Sequence, residues 1–148
     1  MAFAMNGSRP NVIMFLTDDW PWEMWPSEGA VASYRALLPS IAATFVDEGL
    51  ELALHYAHAV CAPSRKALLS GRFADHLAPN NSPCRGLPLR VSTLADRLAA
   101  EGYENHFIGK WHAGFTSPSL WPTRRGFHTS LGFHHQSTAH ASRNEQLA

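Results

Sequence analysis

The 148-residue chain has only two cysteines, Cys61 and Cys84. Two thiols do not make a disulfide framework, so stability has to come from a core, and 45% hydrophobic content at this length allows one. Net charge is also missing: twelve basic side chains balance twelve acidic ones, and the basic ones are scattered. This argues against a nucleic-acid surface and against a polybasic patch for anionic lipid. No apolar run approaches the ~20 residues of a membrane-spanning helix. Residues 1–9 are too short and too weakly apolar for the hydrophobic segment of a secretory signal, and read as a leader without a clear address. Nine histidines are many for this length. None shows a zinc-finger spacing, and the tandem His134-His135 reads as a solvated loop.

What the chain does have is a dense stretch, Cys61-Ala62-Pro63-Ser64-Arg65-Lys66-Ala67-Leu68-Leu69-Ser70-Gly71-Arg72. A thiol, a proline, a hydroxyl and a guanidinium fall within five positions, followed by a short apolar helix pattern and a Gly-Arg stop. Pro63 suits a first helical turn, where its missing N–H is not needed, and Ala67, Leu68 and Leu69 can bury the helix behind it. Cys61 then faces the unpaired donors and positive end of that helix, a setting that suits an anionic substrate group.

Upstream, residues 11–16 form a continuous apolar run that ends near Asp18 and Asp19. Such a run suits a strand buried on both faces of a parallel sheet, with the two acids beyond its carboxyl end, where open α/β sheets place ligands. Adjacent carboxylates repel unless a cation or donors lie between them, so a hard divalent metal is one reading; a turn or helix cap is the other. The loop Trp20-Pro21-Trp22-Glu23-Met24-Trp25-Pro26 is stiff and aromatic, and either stacks on a substrate ring or packs on itself. Residues 27–50 read as a helix interrupted by Pro39 and stopped at Gly49, and residues 50–56 alternate as a strand leading towards Cys61. His55 and His58 read as strand and loop residues. Residues 75–88 read as a surface loop that includes Cys84.

Residues 92–102 predict a second helix, with hydroxyl caps at its start and Gly102 at its end. A strand over 103–108 then delivers Gly109-Lys110-Trp111-His112-Ala113-Gly114. This αβ unit again puts a polar cluster at a strand's carboxyl end, and in an extended segment Lys110 and His112 share a face. A cation beside an imidazole suits an oxyanion that is held and that exchanges a proton. Beyond His128 no periodicity is evident.

Cys-x-Pro-Ser-Arg with its trailing Ser-Gly-Arg resembles the signature of the formylglycine-dependent sulfatases, an arylsulfatase-like family of the alkaline phosphatase superfamily. Leu-Thr-Asp-Asp at 16–19 is similar to the family's first calcium segment, and Gly-Lys-Trp-His-x-Gly at 109–114 to its second signature. Pro122-Thr123-Arg124-Arg125-Gly126-Phe127 continues the likeness, although family members commonly carry an acid where His128 stands. A glycine commonly found soon after the acid pair is replaced here by Pro21.

The resemblance implies an α/β fold, a mostly parallel sheet flanked by helices, of which residues 10–148 are an incomplete N-terminal portion of the catalytic domain. It implies that Cys61 is converted by a formylglycine-generating enzyme to an aldehyde whose hydrate attacks the sulfur of a small-molecule or glycan sulfate ester. It also implies that Asp18, Asp19 and the modified Cys61 bind calcium, that Arg65 stabilises the hydrate and the metal site, that Lys110 holds sulfate, and that His112 acts as base. Ser64 then serves the modifying enzyme and the local turn. Family members are usually secretory, lysosomal or periplasmic. Related enzymes cleave phosphate or phosphonate esters, and no residue here separates the two anions. A catalytically silent sulfatase-like module is the third reading, because only two carboxylates stand where calcium takes six or more oxygens. The isolated chain is therefore expected to be inactive or nearly so.

Overall fold

Helix α3 spans Cys61–Ser70 and ends as its sequence predicts. Val60 is extended before the first turn, Pro63 lies inside that turn, and Gly71 closes the helix in the left-handed conformation (φ 64°), where a side chain would strain. The computed structural model describes residues 9–26, 32–52, 54–77 and 86–135. Two compact units are present, Met1–Ala53 and Leu54–Ala148.

In the first unit, helix α1 (Ala32–Leu37) stops before Pro39. Leu38 leaves the helical region (φ −127°, ψ 52°), as expected of the residue before a proline, and helix α2 (Pro39–Ile41) restarts with Pro39 at its first turn. A wider π turn, Ala42–Asp47, continues α2. The predicted helix is therefore broken at Pro39, and its expected beginning at 27–31 lies outside the described residues. Arg35 ties the unit together, donating to the Pro26 carbonyl at 3.0 Å and pairing with Asp47. Phe15 meets Phe45 edge-on.

The apolar run expected as a strand is not one here. Residues 11–16 carry no strand pairing, and Val12, Ile13, Met14, Phe15 and Leu16 are 58, 78, 53, 76 and 49% exposed. The described residues of the 50–56 segment, 50–52 and 54–56, likewise form no strand; Leu50, Leu52, Leu54 and Tyr56 are exposed. A strand exists only through its ladder, and among the described residues the sheet has two strands, neither drawn from these segments.

In the second unit, helix α4 (Leu94–Ala100) begins on a reciprocal cap. Thr93 Oγ1 accepts the Asp96 N–H, and the Asp96 carboxylate accepts the Thr93 N–H. It ends with Gly102 at φ 80°, the Gly102 N–H on the Ala99 carbonyl and the Tyr103 N–H on Leu98. Strand β1 spans His106–Lys110, three residues later than the sequence indicates, and pairs in parallel with β2 (Thr129–Phe133), from His106 opposite Thr129 to Lys110 opposite Phe133. β2 was not legible in the sequence.

Buried polar groups lock this unit. Arg125 donates to the carbonyls of Leu87 and Val91 at 3.1 and 2.6 Å, and its own carbonyl accepts Thr93 Oγ1–H at 2.9 Å. Asn105 Nδ2 donates to Ala95 and Gly126, each at 2.9 Å. His128 supplies a ring acceptor: its Nδ1 takes the Asn105 N–H at 3.0 Å, a bond a carboxylate could also accept. Trp111 is buried with its Nε1 on the Leu120 carbonyl, and Phe107, Trp111 and Phe127 meet edge-on. Leu77, Leu87 and Val91, with Leu69 packed on them, form the apolar core beneath α3.

Candidate functional site

Cys61 is a half-buried free thiol at the first position of α3. Its Sγ lies 3.1 Å from Nδ1 of His112, across 51 residues of sequence. Four residues along the helix, Arg65 is buried and donates to the Lys110 carbonyl at the end of β1. The fold thus brings Cys61, Arg65, Lys110 and His112 together at the junction of a helix start and a strand's carboxyl end, the place the αβ pattern indicated.

The route by which His112 arrives differs from the alternation reading. His112 has left the strand, with φ 49°, so shared faces in an extended segment do not govern it. Backbone pairing carries on past β1 instead: the Trp111 N–H donates to Phe133 at 2.9 Å and the His112 N–H to His134 at 3.1 Å. These bonds hold a left-handed turn that a non-glycine residue seldom adopts, a form of strain that collects at functional sites.

His112 is 3% exposed, and its Nε2 is buried with no hydrogen-bond partner among the described residues. Burial lowers its pKa from 6.5, and the positive charges of Lys110, His135, Arg65 and Lys66 lower it further. The neutral ring is favoured, so Nδ1 is available to accept a proton from the atom at the Cys61 Sγ position. Lys66, buried in α3, adds to the positive field. Ser64 faces its own turn, its Oγ donating to the His58 and Val60 carbonyls at 3.0 and 2.9 Å.

Sequence reasoning understated the tandem histidines. His134 is half-buried, stacks on Trp121 with centroids 5.1 Å apart, and has its pKa lowered by burial. His135 is exposed, its ring centroid 6.0 Å from that of His112 and 4.6 Å from that of Phe115. Their place follows from β2, whose pattern is too short to read, so no sequence signal pointed to it.

In the first unit, Asp18 and Asp19 are exposed at the end of the apolar run, and Asp19 turns the chain with φ 59°. Their carboxylate oxygens are the right kind of donor for a hard cation. Among the described residues no group of three or more His, Cys, Asp or Glu gathers as a metal cluster, so the donor set fits in kind and falls short in number. Cys84 lies outside the described residues.

The sulfatase family model matches residues 10–147. Arylsulfatase J of Mus musculus is 34% identical over 130 residues, covering 84% of this chain and 21% of that protein. Arylsulfatase A of Homo sapiens is 34% identical over 132 residues, covering 83% of the chain and 25% of its own length. The arylsulfatase of Klebsiella aerogenes is 29% identical over 151 residues, covering 94% and 31%. The crystal structure of Ps i-CgsB aligns with 53% of the chain and 18% of its own, at 31% identity and a TM-score of 0.47. The chain belongs to the sulfatase family, and its helices and parallel strands are an incomplete α/β sulfatase fold. It spans less than a third of the length of these curated relatives.

Proposed function

We propose that the protein is a sulfuric ester hydrolase whose reactive group is a formylglycine made from Cys61. One observation carries this reading: the two signature segments, 51 residues apart, meet through the 3.1 Å contact of Cys61 Sγ with His112 Nδ1 at the start of α3. Formylglycine supplies an aldehyde whose hydrate provides the hydroxyl nucleophile towards sulfur. His112, kept neutral by burial and neighbouring cations, accepts and returns a proton at that position. Arg65 fixes the Lys110 backbone beside the helix start, so the strand end that carries the sulfate-holding cation keeps its register with Cys61. The positive surroundings that lower the His112 pKa also favour an anionic ester.

Asp18 and Asp19 would give carboxylate oxygens to a calcium ion, which polarises sulfate oxygens. The named relatives are arylsulfatases, which favours sulfate over phosphate or phosphonate esters.

Peptide mass spectrometry across Cys61 in protein from its native source tests the reading. Conversion of the thiol to an aldehyde is expected, together with aryl sulfate turnover by the full-length protein that vanishes in Cys61→Ala. A plain thiol with turnover intact in the variant would overturn it.

A further inference from the structure

At the end of α3 opposite Cys61, a cleft of about 320 Å³ opens between the helix's last turn, the 87–91 turn and the start of α4. Arg72, Arg90 and Arg97 line it from three separate segments, and no acidic side chain does. All three are exposed, and among the described residues no ion pair or side-chain hydrogen bond holds their guanidinium groups. A fold that gathers three uncompensated positive charges in one concavity repels itself there, and an oxyanion relieves that repulsion.

The backbone of the walls is set by bonds within the fold. Gly71 sets the direction in which the chain leaves α3 towards Arg72. Arg125 pins the Leu87 and Val91 carbonyls on either side of Arg90. The Thr93–Asp96 cap sets the first turn of α4, from which Arg97 projects one turn on. Leu68 and Leu94, 39 and 41% exposed, add apolar surface to the same cleft, and the Ser92 hydroxyl adds a donor. Positive charge beside apolar surface suits a ligand that carries its anion on a ring or carbon framework.

We propose that this cleft binds a sulfate or phosphate oxyanion borne by a ligand whose framework lies over Leu68 and Leu94. The ten residues of α3 place it about 15 Å from Cys61, so it is separate from the position of the Cys61–His112 pair. The oxyanion can come from a free inorganic ion or from one group of a polysulfated sugar.

Isothermal titration of the 148-residue chain with inorganic sulfate, inorganic phosphate and sucrose octasulfate separates these sources. Binding that weakens with added salt is expected, and in the triple variant Arg72→Gln, Arg90→Gln, Arg97→Gln it should fall at least about tenfold. Tighter binding of the octasulfate than of the inorganic ions assigns a carried oxyanion; equal binding per sulfate supports the oxyanion and overturns the role of the leucines. Any oxyanion held at Lys110 beside Cys61 should persist in the triple variant, which keeps this result distinct from the chemistry at Cys61. Should circular dichroism show the triple variant unfolded, Arg90→Gln alone, on an exposed turn, should still weaken binding about threefold. Absence of binding at millimolar probe, or equal binding by the arginine variants, overturns the assignment.

Discussion

The Arg65 guanidinium donates to the carbonyl oxygen of Lys110, so one side chain joins the helix that carries Cys61 to the strand end that carries Lys110. Removing it leaves a backbone acceptor without that donor at a buried junction. Arg65→Ala should lower stability by about 1–3 kcal/mol in urea unfolding, with Arg65→Lys recovering part of the loss. A change below a few tenths of a kcal/mol would show that the joint carries no energy.

The pH dependence of stability follows from His112. Its folded pKa is held below 6.5 by burial first and then by the cations around it, whereas the unfolded ring titrates at its ordinary value. Between those two points the unfolded chain binds more protons, so stability is complete above 6.5 and is lost as pH falls through the folded pKa. His134, lowered by burial, acts in the same sense. Thermal melts taken from neutral to mildly acid pH should show a falling midpoint, and His112→Gln should flatten the fall. Histidine resonances followed by NMR should place the His112 titration below that of exposed rings.

Arg125 is a structural arginine, 3% exposed, with its closest bonds to the Leu87 and Val91 carbonyls of the 87–91 turn. Lysine keeps the charge and loses the planar fork, so it cannot reach both acceptors with the same geometry. Arg125→Lys is expected to cost about 2–3 kcal/mol, read from the denaturant midpoint, and to speed hydrogen exchange at the Val91 amide.

Gly126 has φ 87°, and a Cβ there would lie 2.2 Å from the Asp96 nitrogen at the start of α4. Both the backbone conformation and the space exclude a side chain. Gly126→Ala should destabilise by about 3 kcal/mol or more, or give no folded protein. Retention of the parent melting temperature would mean that the backbone at Gly126 and the start of helix α4 do not approach as closely as described.

Elements whose signals are local were legible. The Cys61 helix, with its proline and glycine, and the Thr93–Gly102 helix, with its cap and stop, obey rules that act within a few residues. The meeting of Cys61 with His112 was legible only as a likeness of motifs, because their contact depends on a parallel ladder closed by β2, five residues that include a glycine and carry no alternation. The runs at 11–16 and 50–56 have strand composition, yet pairing requires neighbours, and composition cannot supply them. Arg125 and Asn105 escaped notice for a related reason: a polar residue that bonds to backbone looks in sequence like any surface side chain.

The bare run at 12–16 also bears on how the molecule behaves in concentrated solution. Five consecutive apolar residues, three of them (Val12, Ile13 and Phe15) of high strand propensity, exposed and without a ladder, form the sort of window through which chains stack on one another. Two acidic residues, Asp18 and Asp19, follow at its exit, and negative charge beside such a run discourages a second copy from adding edge to edge. Charge that a cation neutralises no longer repels, so a cation taken up by these carboxylates would lower the barrier to self-association.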